Sequence, residues 1–419
     1  MTGSYWWYCY FKKEVQKITQ RPVIFEYVLQ EKGSRRMNYM PEMIGPADLE
    51  RDVLKQKLCV ACGACVGLCP YFSAIEGRVV MTDSCNLPQG RCYAFCPRTK
   101  TDMRKLRSVF FEEGPFIPEI GPFLGLYLTR ARDKNIRAGS QHGGSATALV
   151  ELAIKEGFID SAVLTRSDHG LNPSGLFVSR PGEVRQCVGS SFQIPPSLEI
   201  LNHNLKENSY KKIGVVGTPC KTLAVYKMQS QRLDDDPKQA NNIGMVFGLF
   251  CGWGIDWQGL ERIVKGKSSL ERVKHIDIPP SQYGIMEVET LDGRIGIPLE
   301  EIYPIVRYSC RFCTDMTAEF SDLSIGGARS SEGWDVDRGW NQIIVRTRRG
   351  KELVDLARDK RVLDFRDVAP SNLEKLKKAS SNKKKKAIQT IIEKTGDVNN
   401  LLYLDPFDPA LENLLPGGK

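Results

Sequence analysis

Four cysteines fall within twelve residues at Cys59-Val-Ala-Cys62-Gly-Ala-Cys65-Val-Gly-Leu-Cys69, and Pro70 closes the run. No other stretch limits the fold so tightly. The spacing C-x2-C-x2-C-x3-C-P is one that holds cubane iron–sulfur clusters. Gly63, Ala64 and Gly67 keep the spacers small, so the backbone can lie close against an inorganic core. C-x2-C pairs also serve zinc, but zinc sites usually separate two such pairs by a longer spacer. The compact run favours iron and sulfide.

A second group follows at Cys85, Cys92 and Cys96, and Cys92-Tyr-Ala-Phe-Cys96-Pro97 repeats the closing C-x3-C-P. In two-cluster ferredoxins the last cysteine of each run ligates the other run's cluster. That rule predicts one set of Cys59, Cys62, Cys65 and Cys96, and a second of Cys69, Cys85 and Cys92. The second set is a thiol short, since Asn86 and Gln89 stand where further cysteines belong. A three-iron cluster, a cubane with one non-cysteine ligand, and a single cluster in this region all fit.

The thirteen cysteines sit mostly in C-x2-C and C-P contexts. That usage suggests metal ligation in a reducing, cytoplasmic setting rather than a disulfide framework. No run of 18 apolar residues exists, so no membrane span is expected. The formal charge of +9 could draw nucleic acid. Much of the excess, however, lies in blocks such as Lys375–Lys378 and Lys383–Lys386, which read as a solvated basic tail. No nucleic-acid partner is expected.

Residues 1–36 match no domain pattern and read as an extension. Residues 40–105 read as a ferredoxin-like iron–sulfur domain, with a lead-in helix over 47–57 and a short strand at Gly77–Met81. A linker rich in Pro, Gly and Phe follows, from Gly114 to Pro122. From 120 to 365 short apolar strands alternate with helical stretches, which implies an α/β core with a parallel or mixed sheet. Strands are expected at Leu124–Ala131, Ser161–Thr165, Leu176–Ser179, Ile213–Gly217, Met245–Cys251, Asp322–Ile325 and Ile343–Thr347. Asp292-Gly293 marks a hairpin. Residues 366–419 form the basic, helical C-terminal tail.

Inside the α/β part, Cys220 and Cys251 each end a strand, and Cys310-Arg-Phe-Cys313 is an isolated pair. Cysteines at neighbouring strand ends can converge where open α/β sheets bind ligands. They can equally be small core residues, as free cysteine often is. Gly143-Gly144-Ser145 before a helix suits a phosphate, and Gly189-Ser190-Ser191 and Gly326-Gly327 allow close backbone approach. No G-x-G-x-x-G or Walker motif is present, so any nucleotide is held outside the usual Rossmann pattern.

These segments, taken in order, resemble the family of coenzyme F420 hydrogenase and dehydrogenase beta subunits. The resemblance is carried by Ser140–Thr147, Gly189–Phe192, Gly217-Thr-Pro219-Cys220-Lys221, Gly248–Cys251, Cys310–Asp315, Phe320–Gly326 and Gly333-Trp334. It implies a mixed-sheet, flavin-binding core in which Cys220, Cys251, Cys310 and Cys313 hold a [4Fe-4S] cluster beside FAD. It implies FAD contacts from His142, Gly143, Gly144, Ser145, Thr147, Gly189, Ser190, Ser191, Phe192, Pro219, Lys221, Asp322, Ser324 and Gly326. Two positions depart: many members carry Asp at His142, and a lysine at Ser191. A lysine beside a flavin tunes its potential or holds an anionic substrate, so Ser191 leaves the hydride carrier open.

The reading these features imply is an iron–sulfur flavoprotein electron-transfer subunit with FAD and two to three [4Fe-4S] clusters. It exchanges electrons between a hydride carrier, coenzyme F420 or similar, and a partner such as a hydrogenase or formate dehydrogenase. The alternatives are a stand-alone ferredoxin-dependent reductase of a small organic molecule, and a flavin-free relay resembling a polyferredoxin.

Overall fold

Alternation of side chains along the short apolar runs turns them into one broad sheet with both faces covered. The computed structural model describes residues 44–112, 114–168, 171–230, 240–279 and 283–415. The extension expected over residues 1–36, and His169, lie outside the described residues. In chain order the first strands are β1 (Phe72–Ile75), β2 (Arg78–Met81), β3 (Phe116–Ile117) and β4 (Gly121–Pro122). Next come β5 (Gly125–Ala131), β6 (Ser161–Asp168), β7 (Leu171–Val178), β8 (Ile213–Gly217) and β9 (Ile243–Leu249). The last are β10 (Val273–Asp277), β11 (Ile285–Thr290), β12 (Gly293–Pro298), β13 (Leu323–Gly327), β14 (Asn341–Val345) and β15 (Leu363–Arg366).

The main sheet has eight strands in the order β15-β5-β14-β13-β9-β8-β6-β7. Its centre, β13-β9-β8-β6, is parallel, with Val163 facing Val215 and Leu323 facing Phe247. The flanking pairs are antiparallel. Successive residues of a strand face opposite sides, and the two cores sort accordingly. Ala162, Leu164, Met245 and Phe247 pack under helices α2 (Ser145–Lys155) and α5 (Arg348–Asp359). Val163, Val215 and Val246 pack on the other face, under α1 (Met103–Phe110), α3 (Leu198–Glu207) and α4 (Pro219–Ser230). The Asp292-Gly293 signal is borne out as the turn of an antiparallel meander, β10-β11-β12.

The cysteine-rich segment packs on the second face. Val60, Cys62 and Ala64 join the core under α3 and α4. The lead-in helix is shorter than 47–57, spanning Pro46–Leu49 before a π-helical turn at Glu50–Leu54. Gly77–Met81 is found as β2, paired with β1.

The solvated-tail reading of the C-terminal segment is corrected. Helix α6 (Pro370–Thr395) buries Leu376, Ser380, Lys384, Ala387, Ile388 and Ile391. Ile391 and Leu401 belong to the core beneath the cysteine lobe, with Leu49, Val53 and Phe72. Apolar residues recur at helical spacing through the lysine block, and they decide its placement. Among the described residues no helix is long and apolar enough to cross a membrane.

Candidate functional site

A cavity of about 470 Å³ opens at the carboxyl ends of the parallel strands. Gly217 and Thr218 at the end of β8, Leu249 to Gly252 at the end of β9, Ile325 to Gly327 of β13, and Thr165 and Ser167 of β6 all line it. Strand ends of this kind are where open α/β sheets bind ligands. Its volume suits a cofactor or small molecule.

Nine residues expected to touch a flavin line this cavity: His142, Gly144, Thr147, Gly189, Ser190, Ser191, Phe192, Lys221 and Gly326. The other five do not. Gly143 packs against Arg130 and Asn341, where a Cβ would lie 2.9 Å from the asparagine Oδ1. Ser145 is buried, and its hydroxyl shares a 2.8 Å hydrogen bond with Thr129. Pro219 lies in the floor of a smaller cavity beyond Cys220. The Asp322 carboxylate accepts from the Val246 N–H at 2.7 Å, from Thr347 and from Arg349. Ser324 accepts from Arg346 at 2.6 Å. Both tie the sheet together from within, because they lie upstream of the strand end, Ile325 to Gly327, that lines the cavity.

Gly326 is needed for space. A Cβ there would overlap the Phe250 ring, which no side chain tolerates. At the start of α2, Gly144 takes φ +74° as N-cap. The first helical N–H is already used, since Ser145 donates to Asn341 Oδ1 at 3.0 Å.

Three cations line the cavity: Lys221, Arg329 and Lys375. Among its lining residues none is acidic. Burial pushes Lys221 down to about 8, against the opposing pull of Cys220, Cys62 and Cys251. Burial and then the Arg329 charge hold His142 at about 4. Its Nδ1 is buried with no hydrogen-bond partner. Cys187, given no role from sequence, is half-buried in the wall and pushed up to about 11 by burial.

The thiols influence one another in three groups. Cys251 is raised by burial, then against the Lys383 charge by Cys310, Cys220 and Cys313. Cys65 is raised by burial and then by Cys62, Cys59 and Cys96. Cys92 is pushed up to about 11 by burial, with Cys69 and Cys85 adding to it. These neighbours are the three sets expected from sequence. The first two sets adjoin, since Cys220 is the largest charge influence on buried Cys62. Among the described residues no group of three or more His, Cys, Asp or Glu is placed to hold a single metal ion. A four-iron core has its thiolates at four corners, more widely spaced than the ligands of one ion.

Backbone donors face the sulfurs. Ala61 N–H points to Cys59 Sγ and Arg98 N–H to Cys96 Sγ, both at 3.4 Å, and Gly254 N–H to Cys310 Sγ at 3.3 Å. On α6, Lys383 Nζ donates to the carbonyls of Cys251 and Asp315, each at 2.7 Å. Burial raises Cys313, but Lys383 and Arg98 outweigh it and the thiol ends below its ordinary value.

Three buried ties fix the lobe to the sheet domain. Lys227 of α4 donates to Cys96 O, Thr99 Oγ1 and Thr101 Oγ1 at 2.7–2.8 Å. Asn202 of α3 donates to the carbonyls of Ala64 and Val66 at 3.0 and 2.7 Å. Arg98 donates to Ser309 O and Phe312 O at 2.9 and 3.2 Å, reaching the loop of Cys310 and Cys313. Sequence reasoning missed Arg329, Lys375, Lys383 and Asn341. Each acts across long sequence separation, and none carries a local motif.

The fold and site define an α/β protein with a strand-end cavity whose wall includes Cys251 of a half-buried thiol group. The chain belongs to the family of coenzyme F420 hydrogenase/dehydrogenase beta subunits. The N-terminal part of that family's description matches residues 126–202 and the C-terminal part residues 210–371. It is an oxidoreductase family whose members work in complexes. The chain is 28% identical over 291 residues to coenzyme F420 hydrogenase subunit beta of Methanosarcina barkeri, covering 66% of this chain and 96% of the relative. It is 26% identical over 272 residues to the coenzyme F420 hydrogenase subunit beta of Methanococcus voltae, covering 63% and 92%. Among solved structures it is similar to a chain of the F420-reducing [NiFe] hydrogenase complex from Methanosarcina barkeri. That match has a TM-score of 0.60 at 27% identity, and covers 68% of this chain and 97% of the other.

Proposed function

We propose that this chain is an iron–sulfur flavoprotein subunit, passing electrons between a hydride carrier at FAD and a partner redox enzyme. Coenzyme F420 or a similar carrier is the substrate, and residues 40–105 act as the ferredoxin-like lobe. The observation that carries the reading is the cavity itself: three cations, no carboxylate, and a wall that includes Cys251 of a half-buried thiol group. A cavity of one charge sign suits the diphosphate of a dinucleotide. The unpartnered His142 Nδ1 and the Phe250 ring packed against the bare backbone of Gly326 fit a wall shaped for a ligand.

Flavin, when bound, accepts two electrons as hydride and releases them singly, while iron–sulfur clusters carry one at a time. Cys220, Cys251, Cys310 and Cys313 are the proposed ligands of the inner cluster. Cys59, Cys62, Cys65 and Cys96 serve the adjoining one, and Cys69, Cys85 and Cys92 the outermost. The chain's own residues keep this region dry and tune it. N–H groups aimed at sulfur and the Lys383 and Lys221 charges stabilise added negative charge. His142, held neutral, offers a hydrogen bond in the cavity without adding charge.

Anaerobic purification tests the reading directly. Acid-released flavin should be FAD, and iron and sulfide should each exceed eight per chain, given three thiol sets of four, four and three cysteines. Protein lacking both flavin and acid-labile sulfide would end the proposal. Flavin bleaching with reduced F420 against NADH then identifies the carrier. A stable partner in the purified complex supports the subunit reading over a stand-alone reductase.

A further inference from the structure

We propose that Arg329, with His142, forms an anion subsite of this cavity, taking a phosphate or carboxylate group of a bound ligand. The two side chains meet over Gly327, where an added Cβ would lie 2.5 Å from His142 Nε2 and 3.0 Å from Arg329 NH1. A side chain at this position would collide with the imidazole, so glycine is what lets the two groups approach each other here. Trp334 braces both, with the Arg329 guanidinium 4.5 Å above its ring and the His142 ring 5.8 Å away, edge-on.

Arg329 has no anionic partner in the protein. Among the described residues no carboxylate lies within ion-pair distance of it, although it lines a cavity and is half-buried. Its one hydrogen bond within the described protein runs from NH1 to the Ala328 carbonyl at 2.6 Å. The nearby carboxylates are engaged elsewhere. Asp337 accepts from the Ser330 N–H and hydroxyl and from Arg366. Asp277 accepts from Gln141 Nε2 at 2.6 Å and from the Ile278 N–H. A guanidinium removed from water without an acceptor is costly, and its planar fork matches phosphate and carboxylate. His142 adds an independent observation, because it lines the same cavity, turns its Nε2 edge toward Arg329 over Gly327, and has its Nδ1 buried with no partner. An anion between them gives the guanidinium an acceptor and takes a hydrogen bond from the Nε2 edge of the imidazole.

Two ligands could bring that anion: the diphosphate of FAD, or an acidic group of the hydride carrier. This step rests on the proposed flavin reading, and inorganic pyrophosphate is a probe that does not. The full chain and its Arg329→Met and Arg329→Lys variants are titrated with FAD, riboflavin and inorganic pyrophosphate, and KM is measured for F420 and NADH. Loss of one charge-assisted bond predicts an effect of about tenfold or more. If FAD affinity falls in Arg329→Met while riboflavin affinity holds, the anion is the flavin's diphosphate. If the carrier's KM rises with FAD affinity and kcat unchanged, the anion belongs to the carrier. Arg329→Lys should keep part of either effect, retaining charge but not the fork.

The inference is overturned if FAD affinity, KM and pyrophosphate binding are all unmoved in Arg329→Met. It is also overturned if FAD and riboflavin weaken equally, which reports a distorted pocket. A chain that takes up no flavin yet binds pyrophosphate through Arg329 sinks the flavin reading and leaves the subsite standing.

Discussion

Gly63 has no room for a methyl group. It sits at φ +90°, and a Cβ would overlap Pro196 O and lie 2.9 Å from the Glu199 N–H nitrogen. The loop carrying Cys62 and Cys65 is thus pressed onto the start of α3, where the Leu198 N–H donates to Cys62 O at 3.1 Å. Gly63→Ala must strain the backbone or lift the loop, at a cost on the order of 3 kcal/mol. The expected outcome is a lower melting midpoint and loss of iron from the lobe, read by iron counting. Unchanged iron and midpoint would contradict the close approach. His142 gives the residue scale a pH dependence. Its folded value is about 4 against an ordinary 6.5. The unfolded chain therefore takes up a proton near pH 6.5 that the folded chain refuses until about pH 4. Stability is full above the upper value and declines as pH falls through that window, by up to on the order of 3 kcal/mol. Ligand-free protein should lose more melting temperature on acidification than His142→Gln does. Parallel curves for the two would contradict a buried neutral imidazole.

Among the elements, α6 adds most to what the family's matched segments contain, because it begins at Pro370 and runs beyond residue 371. It brings Lys383 onto the carbonyls of Cys251 and Asp315. On the proposed reading this places a fixed positive charge beside the inner cluster, where it favours the reduced form. Removing it in Lys383→Met should lower that cluster's midpoint potential. A tenfold change in the reduced-to-oxidised ratio corresponds to about 59 mV for one electron, and a shift of that order is expected in a potentiometric spectroscopic titration. Lys386→Met, at an exposed position on the same helix, should leave the potential in place. Equal shifts in both variants would show that the effect is not local to Lys383. The element scale also shows what sequence could reach. Strands such as Ile213–Gly217 were legible because short β-branched runs bounded by glycine leave few alternatives. Gly143-Gly144-Ser145 correctly announced a helix start, but motif order did not reveal that Asp322 and Ser324 lie too far back along their strand to line a cavity at its carboxyl end. The lysine block of α6 misled because composition masked the apolar stripe of Leu376, Ala387, Ile388 and Ile391. Cysteine spacing nominated the lobe thiols as a group, since ligand geometry restricts spacing far more than packing restricts composition.

At the scale of the whole molecule, the three thiol sets and the cavity form one continuous sequence of neighbours. Cys251 faces both the cavity and Cys310, Cys220 adjoins Cys62, and Cys65 adjoins Cys92. Lys227, Asn202 and Arg98 hold the lobe to the sheet domain by buried hydrogen bonds, so the spacing between inner and lobe sets is fixed. If this order carries current, cutting it at different points must give different phenotypes. Replacing Cys69, Cys85 and Cys92 together by serine removes only the outermost set. The hydride carrier should still bleach the flavin at the wild-type rate in stopped flow, while transfer to the partner falls at least tenfold. Replacing Cys310 by serine cuts nearest the cavity, and should leave flavin bleaching but abolish reduction of every lobe cluster seen spectroscopically. Lobe clusters that stay reducible by the carrier in the Cys310 variant would mean that electrons bypass the inner thiol set, and the linear order would be wrong. Slower flavin bleaching in the outer triple variant would instead mean that the lobe shapes the cavity, because Cys69, Cys85 and Cys92 are not among its lining residues.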